Sequence, residues 1–253
     1  MIHSETVAEV YSKRNTPLWL MSAFKSGFIN SAGFLITGKF VSHVTGFGTQ
    51  AGVAIGHEDY FFGAELLLIP FSFILGGVIT SFILDKNYQS GEHPPYWRVQ
   101  SLITLLLITV ILIGESLFSS HTELPFDRDN IYDGMELLFI SLLCLVCGLK
   151  NSLVTWSTFG KIRVTHLTGL STDIGLNLLG NSSRFKEDRS VNILRMMTFV
   201  SFSVGALISA ILYPRLGHTC LLIPVLISVG MSAISIWDTR KRTSNSKLPI
   251  NVT

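Results

Sequence analysis

Two short stretches of this chain carry the same polar residues at the same spacing. Residues 41–52 read V-S-H-V-T-G-F-G-T-Q-A-G, and residues 164–175 read V-T-H-L-T-G-L-S-T-D-I-G. Six of the twelve positions are identical: Val41/Val164, His43/His166, Thr45/Thr168, Gly46/Gly169, Thr49/Thr172 and Gly52/Gly175. A neutral imidazole both donates and accepts, and its charge changes near neutral pH, which suits ligand contact or proton-coupled gating. The threonine hydroxyls, with Gln50 and Asp173, supply further groups that could line a polar path. The plainer reading is structural, with each histidine capping a helix and each threonine bonding nearby backbone, and shared ancestry preserves packing as readily as chemistry. Upstream, Gly27-x-x-Asn30-Ser31 is mirrored by Gly148-x-x-Asn151-Ser152, which adds Asn30, Asn151 and the intervening Lys150 to the candidate set.

Cys144 and Cys147 have the C-x-x-C spacing of a redox or zinc pair. No second ligand pair accompanies them and they lie in an apolar run, so small packing residues are expected, with no metal and no cofactor. No H-E-x-x-H or G-x-S-x-G motif occurs, and no enzyme activity is expected. The remaining metal possibility is a composite His43/His166/Asp173 site across the two copies.

The elements that must hold these residues are membrane helices. Only 14% of the 253 residues are charged while 48% are hydrophobic, and the apolar residues are clumped. A soluble domain carries nearer a quarter charged residues. Six apolar stretches, at residues 18–38, 61–84, 99–118, 134–159, 194–213 and 219–237, approach or exceed the roughly 20 residues a helix needs to cross lipid. Two shorter ones, 44–56 and 167–180, reach only about 20 Å as helices and read as re-entrant or broken segments. The fold expected is therefore all-α and polytopic, a single membrane domain over residues 1–253. A net charge of +2 and the lack of a long basic run leave no case for nucleic acid. The first seventeen residues are polar and include Pro17, so no cleavable signal peptide is expected.

With six spans and both termini cytoplasmic, fourteen Lys and Arg fall inside and three outside; an eight-span chain gives eleven and six. The positive-inside rule favours six. The order span, short stretch, span then recurs in halves of approximately residues 18–118 and 134–237, followed by a polar cytoplasmic tail at 238–253. Ser72-Phe73-x-x-Gly76-Gly77 echoes Ser201-Phe202-x-x-Gly205-Ala206. Three spans per half is an odd number, so the halves must be inverted, the plan of many transporters.

Charged groups inside spans cost about 2.5–3.5 kcal/mol at a helix centre. Lys25, Glu65 and Glu115 lie near span ends and can snorkel, whereas Lys150 demands an interior cavity or a partner such as Asp173. Gly48, Gly52 and Gly56 recur every four residues and predict a close-packed helix face, as do Gly76-Gly77 and Gly205-Ala206.

The run G-F-I-N-S-A-G-F, followed by F-V-S-H-V-T-G-F-G-T-Q, resembles the YoaK-like family of bacterial membrane proteins. There a Gly-x-x-Asp first helix precedes Ser-His-Met-Thr-Gly-Asn, and Thr-Gly-x-x-Thr-Asp follows in the second half. Here Asn30 replaces the usual Asp, Val44 the Met and Phe47 the Asn, while Thr168-Gly169 through Thr172-Asp173 fits better. Loss of the acid at position 30 weighs against ion coupling there. The resemblance spans about residues 18–237 and implies a multi-pass protein of the bacterial inner membrane, of unknown function, with the architecture of a small-molecule transporter. The expected activity is movement of a small polar or ionic solute, through a site where the two short stretches meet, lined by Asn30, His43, Thr45, Thr49, Gln50, Lys150, Asn151, His166, Thr168, Thr172 and Asp173. The alternative is a membrane scaffold or sensor with a soluble partner at the basic loop 181–192.

Overall fold

Lipid offers the backbone no hydrogen-bond partner, so apolar stretches of this length must satisfy themselves as helices. The computed structural model describes residues 10, 12, 14–90, 94–118, 134–165, 167–178 and 189–245. They form α1 (Thr16–Thr37), α2 (Val44–Gly56), α3 (Tyr60–Gln89), α4 (Tyr96–Phe118), α5 (Gly134–Ser157), α6 (Leu167–Leu178), α7 (Arg189–Leu216), a 3-10 turn (Gly217–Leu221) and α8 (Leu222–Asn245), with no strand among the described residues. Loop 119–133 and most of the basic loop 181–192 lie outside them. α8 continues past the last apolar stretch to Asn245, and Asp238 is buried and pairs with Arg14 at 3.0 Å.

Four helical stretches are long and apolar enough to cross a membrane: Tyr60–Gln89, Tyr96–Glu115, Gly134–Ser157 and Ser190–Lys241, the last taking in both α7 and α8. α1 is not among them, since Lys25, Asn30 and a series of Ser and Thr dilute its apolar residues. It is instead enclosed by other helices, with Trp19, Phe28 and Ile29 fully buried. The outer surface is apolar. Leu67, Leu68, Phe71, Leu75, Val78 and Phe82 line the exposed face of α3 at helical spacing, and Met196, Met197, Val200, Val204, Leu207 and Ile211 do the same on α7. Surfaces of that kind belong in lipid.

The most extensive packing joins α1 to α7 and α3 to α5. Both crossings are made backbone to backbone over glycine. A Cβ on Gly27 would sit 1.9 Å from the Phe202 carbonyl oxygen, and one on Gly205 would sit 2.0 Å from that of Phe24. In the second crossing, a Cβ on Gly148 would sit 2.1 Å from the Phe73 carbonyl oxygen, and one on Gly76 would sit 2.7 and 2.5 Å from Leu145 and Leu149 backbone. Thr80 bonds across this crossing to the Leu149 carbonyl at 3.3 Å, and Ser201 across the other to that of Leu20 at 2.7 Å. Small residues that admit close backbones are how helices associate without a hydrophobic drive between them.

Residue pairs fix the helix directions. Arg14 meets Asp238 and Lys25 meets Ser228, so α1 and α8 are antiparallel. Tyr96 packs on Trp156 while Gly114 abuts Phe139, so α4 and α5 are antiparallel too. Gly76 beside Leu145 and Asp85 bonded to Trp156 make α3 parallel to α5. His218, just before α8, lies 3.2 Å from Glu115 near the end of α4.

Each short helix lies on the long helix that follows it, α2 on α3 and α6 on α7, and the two make no substantial contact with each other. The expected meeting of short stretches is not formed, because the intervening space is filled by the glycine-crossed pairs. The glycine stripe of α2 is likewise not a packing face: Gly48, Gly52 and Gly56 have open space where a Cβ would project.

This contrast predicts opposite outcomes for one substitution. Gly27→Ala and Gly148→Ala should each destabilise the detergent-purified protein by about 1–3 kcal/mol, as overpacking does. Gly52→Ala should leave the thermal unfolding midpoint unchanged or raised, since alanine is the better helix former. Equal effects in all three would show that the crossings are not held by backbone contact.

Candidate functional site

The candidate residues fall into three places. The first is a pocket of about 200 Å³ at the start of α2, lined by Phe34, Gly38, Lys39, Phe40, His43, Gly46, Phe47 and Gln50. Gly38 ends α1 in a left-handed turn (φ 71°), its N–H donating to the Phe34 carbonyl, and so reverses the chain. Asn30 then clamps the returning loop: its Oδ1 accepts from the Ser42 N–H at 3.1 Å and the Ser42 hydroxyl at 2.8 Å. Asn30 is therefore a positioning group for the histidine that follows. His43 stands at the N-cap of α2 without making a capping bond, edge-on to the Phe40 ring at 6.3 Å. A Cβ at Gly46 would come within 2.8 Å of its Nδ1, so the duplicated glycine makes room for the imidazole. Lys39 is half-buried at the same mouth, and desolvation lowers its pKa from the ordinary value. Thr45 and Thr49 are exposed, and the Thr49 hydroxyl donates to the Thr45 carbonyl at 3.2 Å, the bland role for that residue.

A second pocket, of about 440 Å³, opens at the start of α6 and is lined by Gly160, Lys161, Arg163, Gly169, Leu170, Asp173 and Arg195. Five of these stand at positions equivalent to the first pocket: Gly38/Gly160, Lys39/Lys161, Gly46/Gly169, Phe47/Leu170 and Gln50/Asp173. Gly160 is left-handed like Gly38, at φ 75°. His166 lies outside the described residues. Asp173 pairs with Arg195 at 3.2 Å, so the expected Asp173–Lys150 pair is not made: Asp173 sits at the pocket mouth while Lys150 is deep inside. Thr172 donates to the Thr168 carbonyl at 3.1 Å, as Thr49 does to Thr45. His43 and Asp173 line separate pockets, and no cluster of three His, Cys, Asp or Glu occurs among the described residues, so no composite metal site is assembled there.

The third place is the centre. Lys150 and Asn151 on α5 are buried, at 1% and 7% exposure, and neither the Lys150 Nζ nor the Asn151 Oδ1 has a hydrogen-bond partner among the described residues. Lys25 on α1 is fully buried and donates to the Ser228 hydroxyl of α8 at 2.8 Å. The expected snorkelling of Lys25 fails because α7 and α8 close over α1 and leave its side chain no route to an interface. Cys144 is a packing residue whose thiol donates to the Val41 carbonyl at 2.9 Å, and all three cysteines are free. Residue types and spacing missed Lys25, Ser228, Lys39, Lys161 and Arg195. A signal for two of them existed in the dipeptides Gly38-Lys39 and Gly160-Lys161, hidden by the one-residue insertion of Arg163 in the second copy.

No curated protein and no solved structure matches the chain. One family model does, over residues 18–234, and it is described as "Protein of unknown function (DUF1275)". With that match running from the first long helix into the last, the chain belongs to the DUF1275 family of proteins of unknown function.

Proposed function

We propose that this protein is a transporter for a small polar or ionic solute, with six membrane crossings arranged as an inverted 3+3 repeat. The observation that carries the reading is the pair of equivalent pockets at opposite ends of the bundle. α1 is antiparallel to α8, the start of α8 lies beside the end of α4, and α4 is antiparallel to α5; α1 and α5 therefore run in opposite directions. The pocket following α1 and the pocket following α5 thus open on opposite faces. By the positive-inside rule, the α6 pocket with Lys161, Arg163 and Arg195 is cytoplasmic and the α2 pocket external. Both termini are then cytoplasmic, in a bacterial inner membrane.

The packing suggests how access would alternate. The strongest pairs cross the halves, so the units that rock are α1 with α6 and α7, and α3 with α2 and α5. They meet along α1 and α5, where the central residues lie. His43 and Gln50 would admit solute on one face, and Asp173 with Arg195 on the other. A scaffold or sensor would need neither paired pockets nor a polar centre.

In a background lacking the three buried cysteines, His57→Cys should react with an impermeant thiol reagent in intact cells, and Lys161→Cys only after lysis. Reaction from the same side would remove the inverted arrangement. Asp173→Ala should reduce solute flux into reconstituted vesicles at least tenfold without loss of folded protein. Retention of full flux would take Asp173 out of the path.

A further inference from the structure

Two lysines buried in the middle of a lipid-embedded bundle require an explanation that packing alone does not supply. Lys25 and Lys150 are 0% and 1% exposed. They sit on α1 and α5, the first helices of the two halves, which touch where the two cross-half units meet. Lys150 lies within electrostatic reach of Lys25, and Cys147 stands one turn before Lys150. Neither lysine forms an ion pair with a described residue. Lys25 keeps one donor on the Ser228 hydroxyl, while the Lys150 Nζ has no hydrogen-bond partner among the described residues. Uncompensated buried charge is costly and is retained where something pairs with it. Both pockets add positive groups at their mouths: Lys39 in one, and Lys161, Arg163 and Arg195 in the other, with Asp173 the sole carboxylate among their lining residues. Such a series concentrates negative ions at each mouth.

We infer that Lys25 and Lys150 together form the central binding site for a small anion, a halide or a one- to two-carbon carboxylate, held between the two units. The inference rests on the transporter reading and names its substrate class. Each unit contributes one lysine, so an anion bound between them offsets the repulsion that otherwise separates the units, and solute binding is coupled to closure. The enclosure of both ammonium groups limits the ligand to a few heavy atoms.

The test is thermal unfolding of the purified full-length chain in detergent against sodium chloride, formate and acetate, with gluconate holding ionic strength constant. At least one of the three small anions should raise the unfolding midpoint saturably in the wild type. Lys150→Met and Lys25→Met should each abolish that response, whereas Lys150→Arg and Cys147→Ser should keep it. Lys150→Met should itself unfold no lower than wild type, because an unpartnered buried charge has been replaced by an apolar chain of similar length. If one methionine variant fails to fold, the other carries the test. A wild type that folds yet responds to none of the three, or a response unchanged in a folded methionine variant, overturns the site. Flux in reconstituted vesicles separates the two readings: saturable, lysine-dependent binding without flux keeps the anion site and removes transport, while flux of a neutral or cationic solute with no anion response does the reverse.

Discussion

Everything in this molecule depends on two helix crossings in which backbone touches backbone. Between helices in lipid there is little hydrophobic drive, and close van der Waals contact must supply the association. Gly27 against Phe202, and Gly148 against Phe73, bring the axes nearer than any side chain would permit. Because each crossing joins the first helix of one half to a long helix of the other, neither half is complete alone. The buried surfaces of α1 and α5 exist only once both crossings have formed, and the polar centre is sealed by the same event.

The crossings also fix what can move. A bundle whose halves packed internally could rock half against half. Here the rigid pairs interleave the halves, leaving α1 against α5 as the contact between units, with α4 and α8 packed mainly on each other. Those contacts are less extensive than the glycine crossings, and α1 and α5 carry the buried lysines. The pockets lie at the chain reversals after α1 and α5, where a left-handed glycine turns the backbone into a short helix.

Much of the architecture was legible from residue types alone. Apolar length located each long helix, though α3 and α8 run five and eight residues beyond their apolar stretches, since lipid thickness constrains the apolar part alone. Self-comparison found Gly27/Gly148 and Gly76/Gly205, the contacts on which assembly rests, because a glycine at a backbone crossing admits no substitute. The reading of Gly48, Gly52 and Gly56 failed for the complementary reason: spacing records a smooth face but not whether another helix lies against it. The candidate site was legible in pieces. His43, Gln50 and Asp173 do line pockets, yet Asn30 serves to clamp a loop and the threonines bond their own helix. Which polar group faces a cavity depends on helix rotation, and helices this uniformly apolar give periodicity little purchase.

Lys25 shows most clearly where sequence runs out. Seven or so residues from a helix start, a lysine can reach an interface if its flank is open, and the low-energy expectation is that it does. Here its flank is closed by helices more than 160 residues away in the chain, so its environment is set by contacts no local pattern encodes. A span interrupted by a buried ammonium is also a poor candidate for insertion by itself, and α1 falls short of the apolarity of the other long helices. Its retention in lipid must therefore be secured by the partners that enclose it, α7 through Gly27 and Gly205 and α8 through Ser228. The polar centre and the backbone crossings are then one device: the crossings hold a helix in the membrane that its own composition would not, and that helix brings a cation to the middle of the bundle.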